Sequence, residues 1–181
     1  FVFACVLVDG WCVNGVLFRY VCESLSGFVG VYCSEYVNQV AKGNFENLPG
    51  YSFHERNGVS FVSEDEHPLR PTKALCYGAF SYFPYEDAET FLSTLIERYT
   101  NIKTVYIGNL PDRDKADLFF PEGKNYQPLL SDPLSTIGIW RSQAEMVELA
   151  MNTGWNAEFY IMPKSFYASH YRYDVKLSRK L

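Results

Sequence analysis

The stretch KALCYGAFSYFPYEDAETFLSTLIERYTNIKTVYIGNLP, residues 73 to 111, decides the fold. Ala74, Leu75 and Cys76 read as a short buried strand, and Tyr77 to Tyr85 as an aromatic-lined turn. Beyond the turn, Ala88, Phe91, Leu92, Leu95, Ile96 and Tyr99 recur at helical spacing while Glu86, Asp87, Glu89 and Glu97 fall elsewhere, which predicts an amphipathic helix. A second strand is expected at Thr104 to Ile107. Strand, helix and strand make a βαβ unit, which needs a right-handed crossover and a parallel sheet. Ligands of such sheets sit beyond the carboxyl ends of the strands, so the turn from Tyr77 to Tyr85 is predicted to border a site.

Working outward, residues 2 to 8 are nearly all apolar, as in a strand buried on both faces. After the turn DGWCVNG, Leu17, Tyr20, Val21 and Leu25 mark a helix that Gly27 can end. Phe28 to Tyr32 is a second strand, followed by a helix with Ser34 as N-cap, Val37, Val40 and Ala41 as its apolar stripe, and Gly43 as its stop. YSFHE, 51 to 55, gives a third strand, and SEDEHPLRP, 63 to 71, a surface loop. Residues 111 to 136 hold four prolines with little periodicity and read as an excursion over the mouth of the sheet. Ser142 and Glu145 form a capping box for a helix stopped by Gly154. Residues 156 to 162 and 166 to 176 are β-rich and too close for a crossover helix, so they are expected to pair as an antiparallel hairpin.

Composition narrows the function. With 181 residues, 48% hydrophobic and 20% charged, the chain reads as one globular domain spanning 1–181. A net charge of −5 without any Lys/Arg run argues against nucleic acid and for a small-molecule partner. The five cysteines, Cys5, Cys12, Cys22, Cys33 and Cys76, are odd in number and form no CxxC pair, which reads as buried thiols in a reducing cytoplasm. FVFACVLV lacks the basic lead of a signal peptide, and no stretch is long enough to span a membrane. The start at Phe1 rather than Met leads us to expect further residues ahead of it. No His/Asp cluster suggests a metal. His54, His67 and His170 are isolated, and His170 reads as a surface residue or, if its strand reaches the mouth, as a general base. Asp112, Arg113 and Asp114 follow a strand directly; they form a surface cluster, or Arg113 binds an anionic group.

Five parallel strands with intervening helices, then a helix and a hairpin, resemble the class I methyltransferases that use S-adenosylmethionine. The segments GAFSYF and IGNLP, and the tail SQAEMVELAMNTGWNAEFYIMPKSFYASHYR, carry the resemblance in detail. It implies an α/β three-layer sandwich with a mostly parallel seven-stranded sheet, S-adenosylmethionine as cofactor, and methyl transfer to an oxygen or nitrogen of a small-molecule or sugar acceptor. The alternatives are a methyltransferase fold that serves as a scaffold without activity, and a nucleotide-sugar or NAD-binding enzyme. The terminal hairpin argues against the last.

The cofactor motifs depart from the family. Where it has D/E-x-G-x-G-x-G, this chain has Asp9, Gly10, Trp11, Cys12, Val13, Asn14 and Gly15, keeping the first acid and the last glycine. Trp11 and Val13 read either as blocks in the cofactor's space or as core residues of a domain that no longer binds it. The resemblance places Tyr32 where an acid holds the ribose hydroxyls, and Asn57 where an acid faces the adenine amine. Tyr77 and Gly78 complete the cofactor side, and a ring at Tyr77 or Tyr82 beside a sulfonium gains cation–π attraction. His170, Tyr82 and Arg113 are the catalytic candidates, and Asp9, Gly10, Gly15, Tyr32, Asn57, Tyr77 and Gly78 the cofactor-binding ones.

Overall fold

A computed structural model describes residues 27–45 and 47–180. In chain order these form β1 (Phe28–Tyr32), α1 (Glu35–Phe45), β2 (Tyr51–Glu55), α2 (Gly58–Glu64), β3 (Lys73–Tyr77), α3 (Tyr85–Arg98), β4 (Thr104–Pro111), α4 (Gln143–Asn152), β5 (Trp155–Ile161) and β6 (Arg172–Arg179). Short 3₁₀ turns lie at Phe80–Tyr82, Arg113–Leu118 and Gln127–Ser131. The expected strand at 2 to 8 and helix after Gly15 lie outside the described residues, as do Cys5, Cys12 and Cys22.

The deciding unit folds as its spacing requires. β3 and β4 pair in parallel with Cys76 opposite Ile107, and α3 crosses between them with Ala88, Phe91, Leu92 and Leu95 buried. Arg179 of β6 finishes this helix: its guanidinium donates to the carbonyls of Leu95, Ile96 and Tyr99, satisfying acceptors that the last turn leaves open.

β1 and β2 form a two-stranded parallel sheet, and β3, β4, β6 and β5 a four-stranded mixed one in that order. β6 is antiparallel to both its neighbours. The described residues therefore hold six strands in two sheets; the mostly parallel seven-stranded sheet expected also counts the strand at 2 to 8, which lies outside them. Both sheets share one core, in which Val29 and Val31 join Cys76, Ile107, Val175 and Leu177 under Phe61, Phe91 and Leu149 of α2, α3 and α4. Phe28 and Tyr32, of opposite parity on β1, pack with Phe53 and with Ala41 of α1. Helices thus cover both faces at β1, as a three-layer arrangement requires.

Two segments differ from the sequence reading. α2 begins inside a segment without an assigned element and takes in Ser63 and Glu64, expected in a loop. Seven residues are too few for a periodic stripe to show. The helix is held instead by its ends, with Asn57 as N-cap and Arg98 donating to the carbonyls of Val62, Ser63 and Asp65. The hairpin forms, but β6 starts at Arg172 rather than at 166 and runs on to Arg179, opposite Trp155. The aromatic run before it builds a series of turns whose Ala168 and Tyr171 bury against Phe120 and Trp140, so their apolar character serves a cluster under the excursion instead of a strand. Cys76 is buried as expected, whereas Cys33 is exposed just past the end of β1.

Candidate functional site

Parallel pairing brings together the carboxyl ends of β1 and β2 in one sheet and of β3 and β4 in the other. Phe83 beyond β3 lies against Gly58 beyond β2, where an added Cβ would be 3.4 Å from its ring, and most sequence candidates arrive at these ends. Tyr32 ends β1, Asn57 lies two residues past β2, Tyr77 and Gly78 close β3, and Arg113 lies two residues past β4. His170 belongs to the connection before β6, not to a strand. Because Arg172 pairs with Pro111, the exposed His170 still sits beside the carboxyl end of β4. Asp9, Gly10, Gly15, Trp11 and Val13 lie outside the described residues.

The side chains take different roles. The Tyr32 ring does not project from the edge. It is 2% exposed, lies stacked on Phe53 with centroids 6.4 Å apart, and fills the face above Gly30, where an added Cβ would come within 2.8 Å of it. Asn57 is exposed, and its Oδ1 accepts from the Val59 amide. Gly78 takes φ +79, a conformation that glycine adopts without strain, and its amide donates to Gly108 O. Tyr77 is half-buried over Gly108, and burial, then the Asp174 charge, holds its phenol protonated above the ordinary range. The Tyr82 hydroxyl donates to Thr136 O at 2.8 Å, tying the aromatic turn to the excursion. Arg113 donates twice to Trp140 O and pairs with Glu145 at 3.2 Å.

Two further residues organise this edge. Asn109 is the sole non-glycine residue with positive φ among those described, at 65°, where a register shift interrupts β4 between Ile107 and Leu110. Its peptide is clamped from β6: Asp174 Oδ1 accepts from its N–H at 2.7 Å, and Arg172 donates to its carbonyl at 2.6 Å. The clamp places the Asn109 carboxamide beside Gly78, where an added Cβ would lie 3.6 Å from Nδ2. The sequence signal for it was Gly-Asn at a strand end, since asparagine tolerates this region better than most residues. Arg141 is 4% exposed, donates to the carbonyls of Phe80 and Phe83, and lies over the Phe80 ring. It locks the aromatic turn to the segment before α4. No spacing rule marks such a residue.

Between the first turns of α3 and α4, under the end of the excursion, lies a cleft of about 430 Å³ lined by Tyr85, Arg113, Arg141, Glu145 and Glu148, with Pro133, Ile139 and Leu149 among its apolar walls. Arg113, two residues past β4, is the one described sequence candidate in its lining; Tyr32, Asn57, Tyr77, Gly78, Tyr82 and His170 are not part of it. Among the described residues no group of three or more His, Cys, Asp or Glu side chains could hold a metal, and no helix is long and apolar enough to cross a membrane.

Buried phenols give this architecture a pH signature. Burial raises the Tyr99, Tyr106 and Tyr173 hydroxyls, aided by hydrogen bonds to Asp65 and Asp174 in the first two, while burial lowers Arg141 to about 10. A raised phenol contributes stability that is complete below its unfolded value near 10 and lost as pH rises above it; a lowered guanidinium acts oppositely in the same window. The raised phenols, with Tyr77 among them, outnumber the lowered guanidinium groups of Arg141 and Arg179, so stability is expected to fall as pH rises above ~10. Denaturant titrations at pH 9, 10 and 11 measure this. A flat profile would mean that the phenols are not buried as described.

No family model matches the sequence, and no curated protein does. Solved structures do match in fold. They include the N-methyltransferase NodS from Bradyrhizobium japonicum WM9, with TM-score 0.69 and 8% identity over 99% of this chain and 88% of that one. A SAM-dependent methyltransferase from Methanosarcina mazei gives 0.68 and 13%, over 98% and 93%. The mycolic acid cyclopropane synthase CmaA1, complexed with SAH and CTAB, gives 0.63 and 16%, over 88% of this chain and 57% of that one. The chain has the class I methyltransferase fold.

Proposed function

We propose that the protein transfers a methyl group from S-adenosylmethionine to an oxygen or nitrogen of a small-molecule or sugar acceptor. The observation that carries this reading is the fold itself, matched over nearly the whole chain by structures named as methyltransferases and over 88% of it by a cyclopropane synthase solved with SAH. The cofactor supplies the electrophilic methyl group when bound. Asn57 and Gly78 suit it: one offers a carboxamide at the end of β2, the other lets a ligand approach backbone closely at the end of β3. Tyr32 does not suit it, because its ring is packed under Phe53 and brings no carboxylate to the ribose. In this reading His170 is the base, Tyr82 and Arg113 are positioning residues, and alignment of the two reactants supplies most of the acceleration.

The buried Tyr32 favours a second reading, a methyltransferase fold that serves as a binding or scaffold protein. Calorimetric titration with S-adenosylmethionine and S-adenosylhomocysteine separates the two. Micromolar affinity is expected from an enzyme, and absence of heat to millimolar ligand, with the protein folded, would assign the scaffold.

A further inference from the structure

We propose that the cleft between α3 and α4 is a binding site for a neutral, hydroxyl-rich ligand of about the size of one sugar ring. Its volume of about 430 Å³ falls within the range of small-molecule sites. Its polar lining is fixed before any ligand arrives. Arg113 is held by Trp140 O and Glu145, Arg141 by the carbonyls of Phe80 and Phe83, and Glu145 by the Ser142 amide at 2.7 Å. Glu148, one turn further along α4, presents a second carboxylate from an exposed position.

The balance of these groups selects the ligand. Arg113 and Arg141 oppose Glu145 and Glu148, so the formal charges cancel, and an ion entering the cleft meets as many like charges as unlike ones. A neutral polyol uses both kinds of group, because each hydroxyl donates one hydrogen bond and accepts others. Bonds to charged partners are the stronger ones, and these partners lose little freedom on binding because they are already held. The apolar walls at Pro133 and Ile139, and the half-exposed ring of Tyr85, give the C–H faces of such a ligand a surface to cover. Naming this ligand as the methyl acceptor rests on the reading above; its binding does not.

The test is an NMR titration of the whole chain with methyl α-D-glucopyranoside and myo-inositol as neutral probes, and with glucuronate and glucosamine as charged ones. Saturable shifts at Tyr85, Glu148 and Leu149 are expected with the neutral probes, with neither charged probe binding more tightly. Glu148→Ala and Tyr85→Ala, both on the surface, should each weaken binding about tenfold with melting temperature unchanged. Absence of saturable shifts, tighter binding of glucuronate than of the glucoside, or an undiminished Glu148→Ala variant would each overturn the site. Neutral probes that bind to a protein giving no heat with S-adenosylhomocysteine would leave the site standing and refute methyl transfer. The opposite pair of results would refute the site alone.

Discussion

Tyr32→Asp is expected to destabilise the protein by about 3 to 5 kcal/mol, the range for removing a large aromatic side chain from a core. The ring is 2% exposed and belongs to a cluster with Phe28, Ala41 and Phe53, so its loss leaves a cavity against α1. The new carboxylate either enters that cavity, where an unpaired charge is costly, or turns out to the strand end and leaves it empty. For a chain of this size the melting temperature should drop by roughly 6 to 20 °C. By the family resemblance alone, the same substitution returns a ribose-binding acid, with charge-assisted hydrogen bonds of about 1.5 to 3 kcal/mol. The packing term is larger, so any gain in cofactor affinity should appear in a protein that is less stable without ligand. A variant that melts with the parent would show that the ring is not packed on Phe53 as described.

Tyr32 also shows where the sequence stops being informative. The reading that placed a strand at Phe28 to Tyr32 could not say that the ring would fold back over Gly30 instead of pointing past the strand end, because that direction is set by Phe53 on another strand. The βαβ unit at 73–111 was legible because its signals are local: helical periodicity within α3, and apolar runs for β3 and β4. The capping box of Ser142 and Glu145 was local too, and it forms with both hydrogen bonds. Where ends are fixed from far away, sequence reading failed. α2 depends on Arg98, 33 to 36 residues from the carbonyls that it caps, and the aromatic turn on Arg141, 58 residues beyond Phe83. The start of β6 was misplaced for a related reason. A run of aromatic residues reads as strand whether it pairs with a neighbouring strand or plugs a cluster, and Trp140 decides which. At the site, the candidates at strand ends came from topology and the family resemblance, while the Asn109 clamp needed the β4–β6 register to become visible.

Gly138→Ala should cost about 3 to 4 kcal/mol, out of proportion to the addition of one methyl group. Two terms contribute. At φ +75 a side chain is strained by about 1 kcal/mol or more, and the added Cβ would lie 2.4 Å from Ser81 O and 2.7 Å from Ser81 C. Those are backbone atoms, and Ser81 cannot retreat because Arg141 holds Phe80 and Phe83 on either side of it. The excursion must lift instead, breaking the Ile139 N–H bond to Ser81 O at 2.6 Å and straining the Tyr82 bond to Thr136 O. Each lost hydrogen bond to a buried partner adds roughly 1 kcal/mol or more. Gly123 supplies the control. It has φ +80 with nothing within 4 Å of an added Cβ, so Gly123→Ala carries the conformational cost alone. Denaturant unfolding of the two variants should differ by about 2 kcal/mol or more. Because Ile139 also lines the cleft beside α4, Gly138→Ala should weaken the neutral probes there while Gly123→Ala leaves them unchanged. Equal stabilities for the two variants would mean that the excursion does not rest on Ser81, and the wall of the cleft that depends on that contact would have to be redrawn.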